Sequence, residues 1–159
     1  MIKPGDTLPS MKLMVATAEG PREVATDDLF RGKRVVLFAV PGAFTPTCSA
    51  RHLPGYVEQA AAFKAKGIDS IVCMAVNDAF VMGAWARAHD VGPEITMLAD
   101  GSGAFTKALG LELDLTMRGM GLRSQRFALV ADDMKVTHLA VEKPGDFDVS
   151  RAEAVLGHV

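Results

Sequence analysis

The chain has little cysteine and few large aromatics: two cysteines, one tryptophan and one tyrosine in 159 residues. Two cysteines are too few for a disulfide scaffold. Cys48 and Cys73 also stand far apart with no CxxC, which argues against a metal site built on paired cysteines. His89, His138 and His158 are dispersed and suggest no metal site either. Basic blocks are missing. The 17 lysines and arginines are scattered among 19 acids for a formal net charge of −2, so no nucleic-acid footprint is present. No apolar run approaches the roughly 20 residues that cross a bilayer. The opening stretch MIKPGDTLPSMKL is interrupted by Pro4, Asp6 and Pro9, unlike a secretory leader. The expectation is a protein of the reducing cytoplasm, without membrane or nucleic-acid partners and with its thiols free for chemistry.

What is present suits one domain over residues 1–159, with 49% apolar and 23% charged residues. Residues 1–34 read as an irregular lead-in with two short strands, Met11–Ala16 and Glu23–Thr26, turning at Glu19-Gly20-Pro21. Val35–Val40 and Ile68–Val76 are continuous apolar runs that fit buried strands. Between them Tyr56, Ala60 and Phe63 recur at helical spacing, and Gly67 supplies a stop. Asn77 or Asp78 caps a further helix with an apolar stripe of Val81, Ala84, Trp85 and Ala88. A strand at Ile95–Ala99 and a helix at Ser102–Leu109 follow. Residues 111–125 show no clean period and read as a loop. Residues 126–131 and 135–141 alternate around Asp132-Asp133-Met134 as a hairpin, and Ser150 caps a last helix. This order predicts an α/β fold: a mixed central sheet with helices on both faces and a short N-terminal extension.

The stretch VPGAFTPTCSARHLPG, residues 40–55, follows the first buried strand. In open α/β sheets, ligands gather beyond the carboxyl ends of the strands, and Cys48 lies there, on the way into a helix. Helix N-termini favour the thiolate form of a cysteine, which is the nucleophilic one. A free cysteine is often only a small buried hydrophobe, but the neighbours here point to chemistry. Pro41 and Pro46 stiffen the loop and Gly42 lets it turn tightly. Thr45, three residues before the sulfur, shares its side of a first helical turn. A hydroxyl beside a thiolate can both donate and accept, which suits a small oxygen-bearing substrate such as a hydroperoxide.

The spacing Pro41-x-x-x-Thr45-x-x-Cys48 resembles the signature of the peroxiredoxins. The fuller PGAFTPTCS, then HLPG, VNDAFVM and RSQRFALVADD, resembles the peroxiredoxin-5 (type II) subfamily over nearly the whole chain. The resemblance implies a thioredoxin-like fold and a thiol-dependent peroxidase acting on hydrogen peroxide and alkyl hydroperoxides, with no metal or organic cofactor. It implies Cys48 as the peroxidatic cysteine, Thr45 as the hydroxyl that contacts the peroxide, and Pro41 as a shield against water. Arg126, before Phe127, corresponds to the active-site arginine. Arg123 is the competing choice and is taken as a supporting neighbour.

The recycling step is less determined. The C-terminal KPGDFDVSRAEAVLGHV contains no cysteine that could resolve a sulfenic acid. Cys73 matches a cysteine of plant-type relatives and is a candidate resolving residue. Its position inside an apolar strand run equally suits a buried core thiol, and both readings stay open. Glutathione, glutaredoxin or thioredoxin is the expected external reductant. His52, one turn after Cys48, is either a partly charged neighbour that tunes the site or a structural histidine bonded to a backbone group in the Leu53-Pro54 kink. A homodimer is implied, with Phe44, Phe80, Val81 and Trp85 as candidates for its face. The competing class is a redox-sensing or thiol–disulfide carrier module on a thioredoxin-like fold. Such a carrier wants a second cysteine where Thr45 stands.

Overall fold

The computed structural model describes residues 1–159. Its strands are β1 (Lys12–Thr17), β2 (Gly20–Ala25), β3 (Arg34–Ala39), β4 (Ser70–Ala75), β5 (Ile95–Ala99), β6 (Glu112–Leu115), β7 (Gly121–Ser124), β8 (Phe127–Asp132) and β9 (Lys135–Val141). Its helices are α1 (Thr26–Phe30), α2 (Leu53–Ala65), α3 (Ala79–Ala88), α4 (Ala104–Leu109) and α5 (Ala152–Leu156). Seven strands form one sheet in the order β2-β1-β5-β4-β3-β8-β9. β3, β4 and β5 run parallel, while the β1–β5 and β3–β8 pairings are antiparallel, so the sheet is mixed.

Alternation along β3 divides the core. Val36 and Phe38 face Leu53, Tyr56, Trp85 and Val155 from α2, α3 and α5. Val35 and Leu37 face Phe30 of α1 and Phe105 of α4 on the opposite side. Both faces are covered, so the central strands read as unbroken apolar runs. The mixed sheet with helices on both faces is the one the element order predicts, and it has the thioredoxin-like arrangement that the resemblance implies.

Several local readings are corrected. The lead-in is not irregular: β1 and β2 are full six-residue strands, and β1 extends the main sheet by pairing with β5. Their turn is Ala18-Glu19, and Pro21 lies inside β2. Proline is tolerated there because β2 is an edge strand. Residues 111–125 are not a loop. They form a separate two-stranded hairpin of β6 and β7, joined through a 3-10 turn at Thr116–Arg118. Strands of four residues, alternating in β6 but part-buried or buried throughout in β7, carry too little periodicity to be read. β8 does not alternate, being buried in five of six residues between β3 and β9.

Two helix details also change. Asp78 does cap α3, accepting a 2.9 Å hydrogen bond from Val81 N–H. The buried stripe, however, is Ala79, Met82 and Trp85, and Ala88 is exposed. Ser150 does not cap α5; Arg151 holds that position with no side-chain cap, and the Ser150 hydroxyl is engaged by Glu142.

Candidate active site

After β3 the chain turns through Pro41, Gly42, Ala43 and Phe44. The turn is close-packed at Gly42: a Cβ there would lie 3.2 Å from Arg123 Nη1 and Thr45 Cγ2, so those side chains would have to give by a few tenths of an ångström. Phe44 adopts the left-handed region (φ 64°), an unfavourable state for a bulky residue that aims the chain into the next helix. Asn77, beyond β4, secures the turn by accepting from Ala43 N–H at 2.9 Å. Helical backbone begins at Pro46, whose fixed φ suits a first turn. Ser49 N–H then donates to the Thr45 carbonyl at 3.0 Å, so Cys48 lies in the opening turn.

That turn is unusual. Cys48–His52 is a π-turn, and Leu53 N–H reaches back to the Cys48 carbonyl. Pro54 follows immediately and has no N–H to give to the carbonyl of Ala50. The missing donor explains why the helix widens here, as inserted turns of this kind do.

The Cys48 sulfur is buried and receives two partners. Thr45 Oγ1 lies 2.8 Å from Sγ and Arg126 Nη2 lies 3.1 Å from it. Thr45 Oγ1 is also 2.7 Å from the Gly42 carbonyl. A hydroxyl has one proton, so it donates either to a thiolate or to that carbonyl. Changing the charge on sulfur therefore switches the direction of the Thr45 hydrogen bond.

Arg126 enters from the start of β8. Its Nη1 lies 2.8 Å from His52 Nδ1, and His52 Nε2 lies 3.1 Å from the Ser150 carbonyl. A carbonyl only accepts and a guanidinium only donates, which fixes His52 as the neutral tautomer protonated on Nε2. Burial, followed by the Arg126 charge, pushes the imidazole down to about 3. His52 is thus not a partly charged neighbour. It is a neutral residue that orients Arg126, and its backbone bond goes to Ser150 rather than to the Leu53-Pro54 kink. Because the folded value lies below the ordinary 6.5, this group stabilises the fold fully above pH 6.5 and loses that contribution as pH falls toward 3. The expected slope is about 1.4 kcal/mol per pH unit below that point. Urea unfolding of wild type and His52→Asn, compared from about pH 6.5 to pH 4, should show a flatter dependence in the variant.

The remaining predicted residues separate. Arg123 does not reach the sulfur. Its Nε donates to the Met120 carbonyl at 2.9 Å and its Nη1 to the Val76 carbonyl at 3.3 Å, tying β7 to the end of β4. Pro41 borders a cleft of about 450 Å³, which Thr47, Leu115, Met120, Arg126 and Lys143 also line. Cys73 lies fully buried in β4 between Phe38 and Met97 of the adjacent strands. Burial, helped by the neighbouring Cys48, pushes its thiol well above the ordinary value. Trp85 is fully buried and bonds Ser49 Oγ at 3.0 Å, which removes it from any exposed face, whereas Phe44 and Phe80 are exposed.

Sequence reasoning missed Tyr56 OH, which donates to the Ser150 carbonyl at 2.7 Å, and Glu142, which binds Ser150. It also missed Phe147, packed edge-on against His52 at 5.1 Å. These contacts join distant segments, and no local pattern marks them.

The Redoxin family profile matches residues 3–156. A rice protein (Oryza sativa subsp. japonica) named Peroxiredoxin-2C is 52% identical over 153 residues, 96% of this chain and 94% of that one. The crystal structure of reduced Prx3 from Vibrio vulnificus in complex with H2O2 superposes with a TM-score of 0.94 at 55% identity, covering 99% of each chain. Peroxiredoxin 5 from Alvinella pompejana superposes with a TM-score of 0.87 at 37% identity, covering 98% of this chain and 96% of its own. With its thioredoxin-like sheet and a buried cysteine in the helical turn that follows a central strand, the chain belongs to the Redoxin family and, within it, to the peroxiredoxins, thiol-dependent peroxidases that work through a peroxidatic cysteine.

Proposed function

We propose that Cys48 is the peroxidatic cysteine and that Thr45, Arg126 and Pro41 complete its peroxide site. The observation that carries this reading is the convergence of Thr45 Oγ1 and Arg126 Nη2 on one sulfur. The Cys48 thiolate attacks the terminal oxygen of the peroxide along the O–O bond. An S–O bond forms and the O–O bond breaks. The leaving oxygen departs with the electron pair and is protonated to water or alcohol, while sulfur becomes a sulfenic acid. Arg126 stabilises the charge on sulfur and the charge growing on the oxygens. Thr45, freed to donate or accept, holds the attacked oxygen. Pro41 keeps water off the sulfur, and the adjoining cleft leaves room for the alkyl part of a hydroperoxide.

We further propose that an external thiol recycles the enzyme. Glutathione acting with glutaredoxin is favoured, and thioredoxin is the alternative. The thiol attacks the sulfenic sulfur and releases water, and a second thiol then frees Cys48 from the mixed disulfide. Cys73 is not the resolving residue in this reading. Its rigid strand position and its high thiol value both oppose attack. A bridge to Cys48 would require the two Cα atoms to come within about 7 Å. Two exposed aromatics, Phe44 at 54% and Phe80 at 75%, support a homodimer across this end of the molecule. The whole chain acts as one domain in the cytoplasm. No helix is long and apolar enough to cross a membrane.

Mass spectrometry after one equivalent of peroxide, without donor, tests the recycling route. The expected product is oxidation at Cys48 with Cys73 still reduced. Added glutathione should then give a Cys48 mixed disulfide, and Cys73→Ser should keep full turnover. A quantitative Cys48–Cys73 bridge would overturn this route while leaving the peroxidatic assignment intact.

A further inference from the structure

The side chain of Glu142 lies just after β9, nearly buried at 8% exposure, and it touches no reacting atom. One of its oxygens, Oε2, accepts three hydrogen bonds: from Asp148 N–H at 2.7 Å, Ser150 N–H at 2.9 Å and Ser150 Oγ–H at 2.6 Å. Burial pushes this carboxyl up, but the bonds from Ser150 and Asp148 outweigh it and hold the group below its ordinary value. A charged acceptor is thus retained at neutral pH, and charge-assisted bonds of this kind are about twice as strong as neutral ones.

The effect on the chain is specific. Residues 143–150 fold back on the carboxylate, and the Ser150 carbonyl is presented to both His52 Nε2 and Tyr56 OH. His52 Nδ1 then accepts from Arg126 Nη1, while Arg126 Nη2 contacts Cys48 Sγ. The same loop sets the Phe147 ring 4.7 Å below the Arg51 guanidinium and 5.9 Å from that of Arg126. Backbone pairing joins the start of β8 to the end of β9 independently, because Glu142 N–H donates to the Arg126 carbonyl at 2.9 Å. The carboxylate is not needed for that pairing, so its role lies in the loop it closes.

We propose that Glu142 is a positioning residue for peroxide reduction, acting through Ser150 and His52 to fix the Arg126 guanidinium against the Cys48 sulfur. This rests on the reading of Arg126 as the cation of the peroxide site. With the carboxylate gone, the Ser150 carbonyl is no longer aimed, His52 can rotate, and Arg126 loses one of its two anchors. Displacing a catalytic group by about 1 Å can cost about a hundredfold in rate.

The test is a double-mutant cycle on the full chain. The rate constant for Cys48 oxidation by hydrogen peroxide is followed in single turnover as a function of pH, with Tm measured alongside. Glu142→Gln keeps the shape and removes the charge. It should slow oxidation by about tenfold to a hundredfold. Glu142→Asp, which keeps the charge, should recover part of the loss. The decisive result lies in the Arg126→Ala background, where Glu142→Gln should add almost nothing, because the two residues act in series. Ser150→Ala, which deletes only the Oγ donor, runs the same cycle if Glu142→Gln fails to fold. A lowered Tm with wild-type oxidation rate, or an equal loss with and without Arg126, would overturn the proposal and leave Glu142 as a latch for the C-terminal segment. Failure of Arg126→Ala alone to slow the reaction would instead reject the reading of Arg126.

Discussion

Cys48→Ser consumes no hydrogen peroxide in the presence of any thiol donor and folds normally. Serine's hydroxyl is smaller than the thiol but can take up the partners at Thr45 Oγ1 and Arg126 Nη2, so no buried donor is left unpaired and Tm should change little. What is lost is the nucleophile. A serine hydroxyl remains protonated at neutral pH, and no general base stands within reach of it. His52 Nδ1 is occupied by Arg126, and Glu142 is occupied by Ser150 and Asp148. Cys73 cannot substitute, because it lies inside β4 with its thiol held protonated by burial. A stopped peroxide assay with the purified variant checks this, and appreciable residual consumption would place the chemistry elsewhere.

The second large effect is expected for Arg126→Ala. The thiolate and the charge developing on the peroxide oxygens both lose their cation, and removing one such preorganised donor costs about 10²–10³ in rate. The change also leaves His52 Nδ1 buried without its donor, which costs about 1–3 kcal/mol of stability. Arg126→Lys should recover stability better than rate, since a lysine is a point charge that cannot bridge His52 and Cys48 together as the guanidinium fork does. Arg123→Ala should behave in the opposite way. Arg123 fastens β7 through the Met120 and Val76 carbonyls and does not touch sulfur. Its loss should lower Tm more than it slows oxidation of Cys48. Rates for the three variants, measured by single-turnover oxidation, decide the ranking.

The residues that meet the sulfur were legible because their signals are local. Proline, glycine and hydroxyl placement around Cys48 reflects demands within one turn of chain, and Arg126 sits directly before a strong apolar strand. The central strands were legible for a similar reason: burial on both faces leaves an unbroken apolar run. The support behind Arg126 was not legible. Tyr56 read only as an apolar position of α2, and the hydroxyl that reaches Ser150 leaves no trace in periodicity. Glu142 follows an alternating strand and looks like an ordinary solvated acid, although it is buried. The β6–β7 hairpin escaped because its strands are short and Gly119 and Gly121, both at positive φ, interrupt any period. The sequence puts His52 one turn after Cys48, but its charge state depends on burial and on Arg126, both set by the tertiary fold.

The two halves of the proposed peroxide site are mounted on backbone of very different firmness. Arg126 directly precedes β8, an interior strand bonded on both sides, and its own carbonyl accepts from Glu142 N–H. Amide hydrogens of such strands exchange only on near-global opening. Cys48 is carried by the π-turn, where Pro54 has removed a donor and the ladder is thinned. That turn should open at a small fraction of the global free energy, and its amides should exchange first. For the proposed external thiol to reach the oxidised sulfur, the π-turn is the segment that opens at least cost, while the arginine stays in place. Each return of the reduced sulfur then finds a cation already waiting.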